Sequence, residues 1–143
     1  MREVRGFPGF AVLGLALLAA SPAPADGAVA LGITGDVAKD GYSIGFGVDY
    51  PTEEKAREGA LNHCRKHGGS PQTVAKCEII AVFRRQCGAE AQDPKPGTPG
   101  FGWAIASDQE TANKVALSNC RASAGRGRVD FCKIVNSTCD NTP

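Results

Sequence analysis

Residues 42–64 read YSIGFGVDYPTEEKAREGALNHC, and the parts of this stretch return later in the chain in the same order. Gly45-Phe46-Gly47-Val48 (GFGV) recurs as Gly100-Phe101-Gly102-Trp103 (GFGW). Ala56, Ala60, Leu61 and Cys64 recur as Ala112, Ala116, Leu117 and Cys120. Cys77-Glu78-Ile79-Ile80 recurs as Cys132-Lys133-Ile134-Val135. Ordered self-similarity of this kind marks a duplicated structural unit. The two repeats run over about 28–84 and 86–140, inside a single domain spanning 26–143.

Within the quoted stretch Tyr42, Ile44, Phe46, Val48 and Tyr50 share one face at a period of two, which predicts a strand. Gly45 and Gly47 leave the opposite face nearly bare, so a helix can approach the backbone closely there. Thr52, with Glu53 and Glu54 in the first turn, caps a helix whose small-residue stripe is Ala56, Ala60 and Cys64. Gly68-Gly69 ends it. In the second copy Ser107 and Glu110 form a capping box, the stripe is Ala112, Val115, Ala116 and Cys120, and Gly125 is the stop. Further strands are predicted over 28–33, 77–83, 87–92 and 131–135, with residues 94–99 (PKPGTP) as a rigid hairpin-like connection. Trp103 is expected in the core and Phe101 toward solvent. Each unit is thus strand-strand-helix-strand, and the expected fold class is α+β: one antiparallel-rich sheet with two helices on one face, stapled by disulfides.

The chain has 143 residues, 42% of them hydrophobic and 22% charged, with a formal net charge of +1. That balance argues against a nucleic-acid partner. Arg2 and Arg5 precede an apolar run at 10–20, and Ala23 and Ala25 form an A-x-A site, the pattern of a secretory signal peptide over 1–25 cleaved between Ala25 and Asp26. The run is too short for a permanent membrane span, which needs about 20 residues. The mature chain is then formally neutral, and a monomer in the periplasm or the medium is expected.

Six cysteines behind an export signal predict a disulfide framework. No C-x-x-C pair supplies the close spacing of a structural zinc site. Cys64 and Cys77 occupy the positions of Cys120 and Cys132, so like pairing joins Cys64 to Cys77 and Cys120 to Cys132. Cys87 and Cys139 then pair by exclusion. Unit one has no cysteines to match them, which makes the third bridge an addition to the repeat.

The pattern G-F-G-V/W, then T/S-x-E-x-A-x-x-x-A-L-x-x-C, then C-x-I-V/I, twice over behind a signal peptide, resembles the small exported bacterial proteins of domain-of-unknown-function family 4189. The resemblance implies export and a duplicated α+β layout, and it supplies no catalytic residues.

Chemistry is sparse in the sequence. His63 and His67 stand four apart near a helix end, but Cys64, Arg65 and Lys66 between them omit the glutamate of a zinc hydrolase. Imidazoles there favour the helix C-terminus electrostatically, and from one helix end they cannot flank a phosphate as in a small ribonuclease. There is no G-x-S-x-G nucleophile elbow. The pairs Arg65–Lys66, Arg84–Arg85 and Arg126–Arg128 read as a solvated rim rather than an anion site, given the balanced charge. The glycines at 45, 47, 100 and 102 lie in strands and do not form a phosphate cradle. The reading is therefore an exported, non-enzymatic binding or interaction module without metal or cofactor. Its partner is an unidentified protein or envelope component. A small secreted hydrolase is the alternative.

Overall fold

The computed structural model describes residues 26–66 and 68–141. The first unit runs through β1 (Gly27–Gly32), a short α1 (Val37–Asp40), β2 (Ser43–Gly47), α2 (Glu53–Lys66), a one-turn α3 (Pro71–Val74) and β3 (Glu78–Phe83). The second comprises β4 (Cys87–Gln92), β5 (Phe101–Ala106), α4 (Gln109–Ser123), a 3-10 turn at Val129–Phe131 and β6 (Lys133–Cys139). The fold is α+β, but the expected single sheet divides in two. β2-β1-β3 and β5-β4-β6 are separate three-stranded antiparallel sheets.

The division follows from the two faces of each sheet. One face is small: Ala28 and Ala30 meet Ala56, Ala60 and Cys64 of α2, while Ala89, Ala91 and Ala104 meet Ala112, Ala116 and Cys120 of α4. The other face is large, with Val29, Ile44, Phe46 and Phe83 packed against Phe101, Trp103 and Ile105 from the second sheet. Helices on one face of a single sheet would leave these large side chains in water, each forfeiting about 1.5–3 kcal/mol of burial. The sheets instead close on each other, and one helix covers the outer face of each. Phe101 and Trp103, two residues apart on a strand, consequently share the inward face, so the expectation that Phe101 faces solvent is corrected.

The strand registers show how the units correspond. Ala30 pairs with Gly45 on one side and Ile79 on the other, and Ala91 pairs with Gly102 and Ile134. Both central strands shift register just there, between Val29 and Ala30 and between Glu90 and Ala91. A Cβ on Gly45 would collide with the Ala60 carbonyl oxygen and the Cys64 nitrogen; one on Gly102 would collide with the equivalent Ala116 oxygen and Cys120 nitrogen. Gly45 therefore answers to Gly102, and Phe46 to Trp103. The GFGV/GFGW match is out of step by two residues. A slip of two preserves the inward and outward alternation of a strand, so the motif repeats without marking the register.

Three local expectations also change. β2 ends at Gly47, and Asp49 adopts a left-handed conformation (φ 61°). The period of two breaks there, so Tyr50 turns to the helix side, against Gly59 of α2. Asp108, not Ser107, is the N-cap of α4, accepting from the Thr111 backbone N–H; an ionised carboxylate is the stronger acceptor. Phe131 belongs to the 3-10 turn rather than to a strand, with its ring under the Arg128 guanidinium at 4.0 Å.

Candidate functional site

The strand equivalences expose one asymmetry in the layer between the sheets. β1 places Val29 and Leu31 there, and β4 places Glu90 and Gln92 at the same two positions. Val29 is fully buried. Around Glu90 and Gln92 the layer opens into a cleft of about 600 Å³, walled by Tyr42, Ile44 and Phe46 of the β2 segment, His63 of α2, Val135 and Asn136 of β6, and glycines 41, 45, 68 and 69. At the opposite end of the layer a smaller hollow of about 420 Å³ is lined by Ala81, Trp103, Ala104, Ile105, Val115 and Asn119. Trp103 there answers to Phe46, Asn119 to His63 and Ala81 to Asn136. One end of a pseudo-twofold arrangement is polar, and the other is largely apolar.

The polar end is held in place by the fold. The Tyr42 ring stacks on Phe101 with centroids 3.8 Å apart. Its phenol lies 2.6 Å from a Glu90 carboxylate oxygen and also touches the Gln92 side-chain amide. A phenol has one proton to give. If it goes to Glu90, turning the Gln92 amide over lets the NH2 donate to the phenol oxygen and satisfies all three groups. Burial raises the Glu90 pKa, partly offset by the Tyr42 hydrogen bond. Burial also raises the Tyr42 phenol, with the Glu90 charge beside it adding to the effect, so Tyr42 stays a donor.

His63 stands on the wall with Nδ1 2.8 Å from the Phe46 carbonyl oxygen. A carbonyl only accepts, so Nδ1 carries the proton of this bond. Asn119 Nδ2 donates to the Trp103 carbonyl at 3.0 Å in the other unit. The same clamp from helix to edge strand is thus made twice, and only in the first unit does it use a titratable ring. Among the described residues no lysine or arginine lines the cleft, and Glu90 is the one carboxylate on its wall.

The residues singled out from the sequence fall elsewhere, His63 excepted. The structure joins Cys64 to Cys77, Cys120 to Cys132 and Cys87 to Cys139. Ala25 and His67 lie outside the described residues. Asp26 is buried, with its carboxylate 3.3 Å from Arg84 Nε. Arg128 grips Asp93 through Nε and a terminal nitrogen, both at 2.6 Å, holding the Asp93 carboxyl down to about 2. Two of the three basic pairs therefore each contain an arginine already joined to an acid. Among the described residues no cluster of three or more His, Cys, Asp or Glu side chains could hold a metal ion, and no helix is long and apolar enough to cross a membrane.

Glu90, Gln92, Tyr42 and Asn136 were not candidates from the sequence. In CGAEAQ, Glu90 and Gln92 alternate with alanines, which reads as the solvated face of a half-buried strand. The signal that could have found them is their alignment with Val29 and Leu31, and it is hidden by the differing offsets of the strands.

A family model described as Domain of unknown function (DUF4189) matches residues 27–139. No curated protein matches the chain. No solved structure matches it.

Proposed function

The chain belongs to the DUF4189 family, and from that premise we propose that it is an exported, non-enzymatic binding module whose ligand enters the cleft between the two sheets. One observation carries the reading: Glu90, a carboxyl in an interior layer where the sister strand places Val29. Packing does not call for it, since the same layer closes with valine at the other end, and burying a carboxyl costs free energy. A concave site with convergent polar groups and a perturbed carboxyl is the ordinary form of a ligand pocket. Export is supported by the three disulfides, which persist in oxidising compartments, and by the leader pattern of residues 1–25. In this reading the mature protein starts at Asp26 and meets a protein or an envelope component as a monomer.

The test is a panel of soluble cell-envelope fragments (neutral oligosaccharides, peptides, amines and dicarboxylates) titrated into isotope-labelled protein recovered oxidised from the periplasm. Binding should move the backbone amide signals of Gly41, Gly45 and Gly69. A panel that leaves those signals still, or moves only signals elsewhere, overturns the reading. The placement of Glu90 and His63 in one cleft favours a second reading, a small hydrolase in which carboxyl and imidazole exchange protons with substrate. Turnover of any panel member, lost in His63→Ala, would establish it in place of simple binding.

A further inference from the structure

We propose that the cleft takes an alkylammonium group, with the Glu90 carboxylate as its counter-charge beside Tyr42; this rests on the cleft being the ligand site. Among the polar groups its side chains present, the ionised Glu90 oxygens only accept, the Gln92 and Asn136 amides both accept and donate, and the His63 Nδ1 proton is already spent on Phe46. The Tyr42 proton is likewise committed within the network. No lysine or arginine among the described lining residues could receive a phosphate or carboxylate, and Glu90 would repel either. A neutral hydroxyl could satisfy the acceptors but not the charge. A carboxylate drawn out of water recovers its desolvation cost only against an opposite charge with good hydrogen bonds. An ammonium brings three donors and that charge. At about 600 Å³ the cleft has room for the carbon stem.

Two sources carry this group: a free small amine, or a lysine-type side chain on a peptide. Protein recovered oxidised from the periplasm after expression of the full chain is titrated by NMR with four probes: cadaverine, an uncharged-terminus lysine tripeptide, 1-pentanol and glutarate. The expected result is that one or both ammonium probes move the Gly41, Gly45 and Gly69 amides and bind at least about tenfold tighter than pentanol or glutarate. Tighter binding of cadaverine assigns a free amine, and tighter binding of the tripeptide assigns a polymer-borne one. Glu90→Gln should weaken ammonium binding about tenfold or more with the spectrum otherwise retained. Should that variant fold poorly, Glu90→Val carries the sister unit's residue and should fold and lose the same binding. If neither ammonium probe moves the cleft amides, if pentanol or glutarate binds as tightly, or if a folded Glu90 variant keeps full affinity, the proposal is overturned. Neutral or anionic ligands binding at the cleft while ammonium fails would sink this inference and leave the binding reading standing. A cleft silent to the whole panel sinks both.

Discussion

β1 and β3 of the first unit are joined at their Asp26 end by an ion pair, Asp26 to Arg84 at 3.3 Å. β4 and β6 of the second are joined at the corresponding place by the Cys87–Cys139 disulfide. The correspondence is fixed by register: Gly27 pairs with Phe83 and Gly88 with Thr138, which puts Asp26 and Arg84 where the two cysteines stand. The third bridge is thus a covalent substitute for a non-covalent clamp rather than an addition with no counterpart. The ladder of the central strand sets where the ends meet, and either chemistry holds them. The same logic separates Val29 from Glu90. At the strand ends both units solve one problem in two ways, whereas in the inter-sheet layer only one unit solves the packing problem. The other leaves a cleft there, and that difference marks the site.

The heaviest blow to both halves at once is reduction. Each unit closes its helix-to-strand loop with a bridge spanning 13 or 12 residues, worth about 3 kcal/mol in the chain-entropy model, and the third bridge adds a similar amount. Against a net stability of about 5–15 kcal/mol for an ordinary domain, loss of all three should unfold the protein or lower its melting temperature by tens of degrees. Circular dichroism melts with and without reductant measure it; an unchanged midpoint would show that the bridges are ornamental to the fold.

The comparison of Val29 with Glu90 is sharpened by exchanging the residues. Val29→Glu places a carboxyl where no cleft receives it and should cost about 3 kcal/mol or more, while Glu90→Val should raise the denaturation midpoint. Equal tolerance of the two exchanges would mean that the two ends of the layer do not differ as described.

The two-residue slip has its own discriminating experiment. Gly45→Ala and Gly102→Ala each force a methyl onto helix backbone and should cost about 1–3 kcal/mol apiece. At Gly100 an added Cβ meets Asp93 Cβ at 2.9 Å and Ala124 Cβ at 3.3 Å, so Gly100→Ala should be the milder change. Chemical denaturation of the three variants ranks them. A Gly100→Ala as damaging as Gly45→Ala would restore the alignment read from the GFGV and GFGW motifs.

The smallest effects lie in pH. The folded Glu90 pKa is raised by burial, so the folded state binds the proton more tightly. Glu90's contribution to stability therefore falls as pH climbs from the ordinary carboxyl range through the raised value. Asp93, three residues on, is held down to about 2 by Arg128, so its contribution is present above the ordinary range and is lost as pH falls toward 2. Urea midpoints across pH should lose the first slope in Glu90→Gln and the second in Asp93→Asn. Unit one places Val29 and Gly32 where the second has Glu90 and Asp93 and should contribute neither.

The repeat, the helices and the small stripes were legible because each is written locally. A helix stripe recurs every three or four residues, and a cap needs only the next turn. A glycine pair opposite an alanine stripe already announces close approach, as at Gly45. The order of elements along each unit followed from the duplication itself, whereas the order of strands in each sheet came from the structure. The cleft was not legible, because no single strand contains it: Tyr42, His63, Glu90 and Asn136 come from four separated segments.

By itself the sequence determined a twice-used strand-strand-helix-strand unit and which face of each helix is small. Tertiary structure alone decided which face of each sheet is interior, which residues of the two units correspond, and that Glu90 lies half-buried between the sheets. The physical reason is the symmetry of a strand. Its period of two leaves both faces, and every even slip along the ladder, equivalent until another layer packs against it. Only burial of the large apolar faces of Phe46 and Trp103 against the opposing sheet breaks that equivalence.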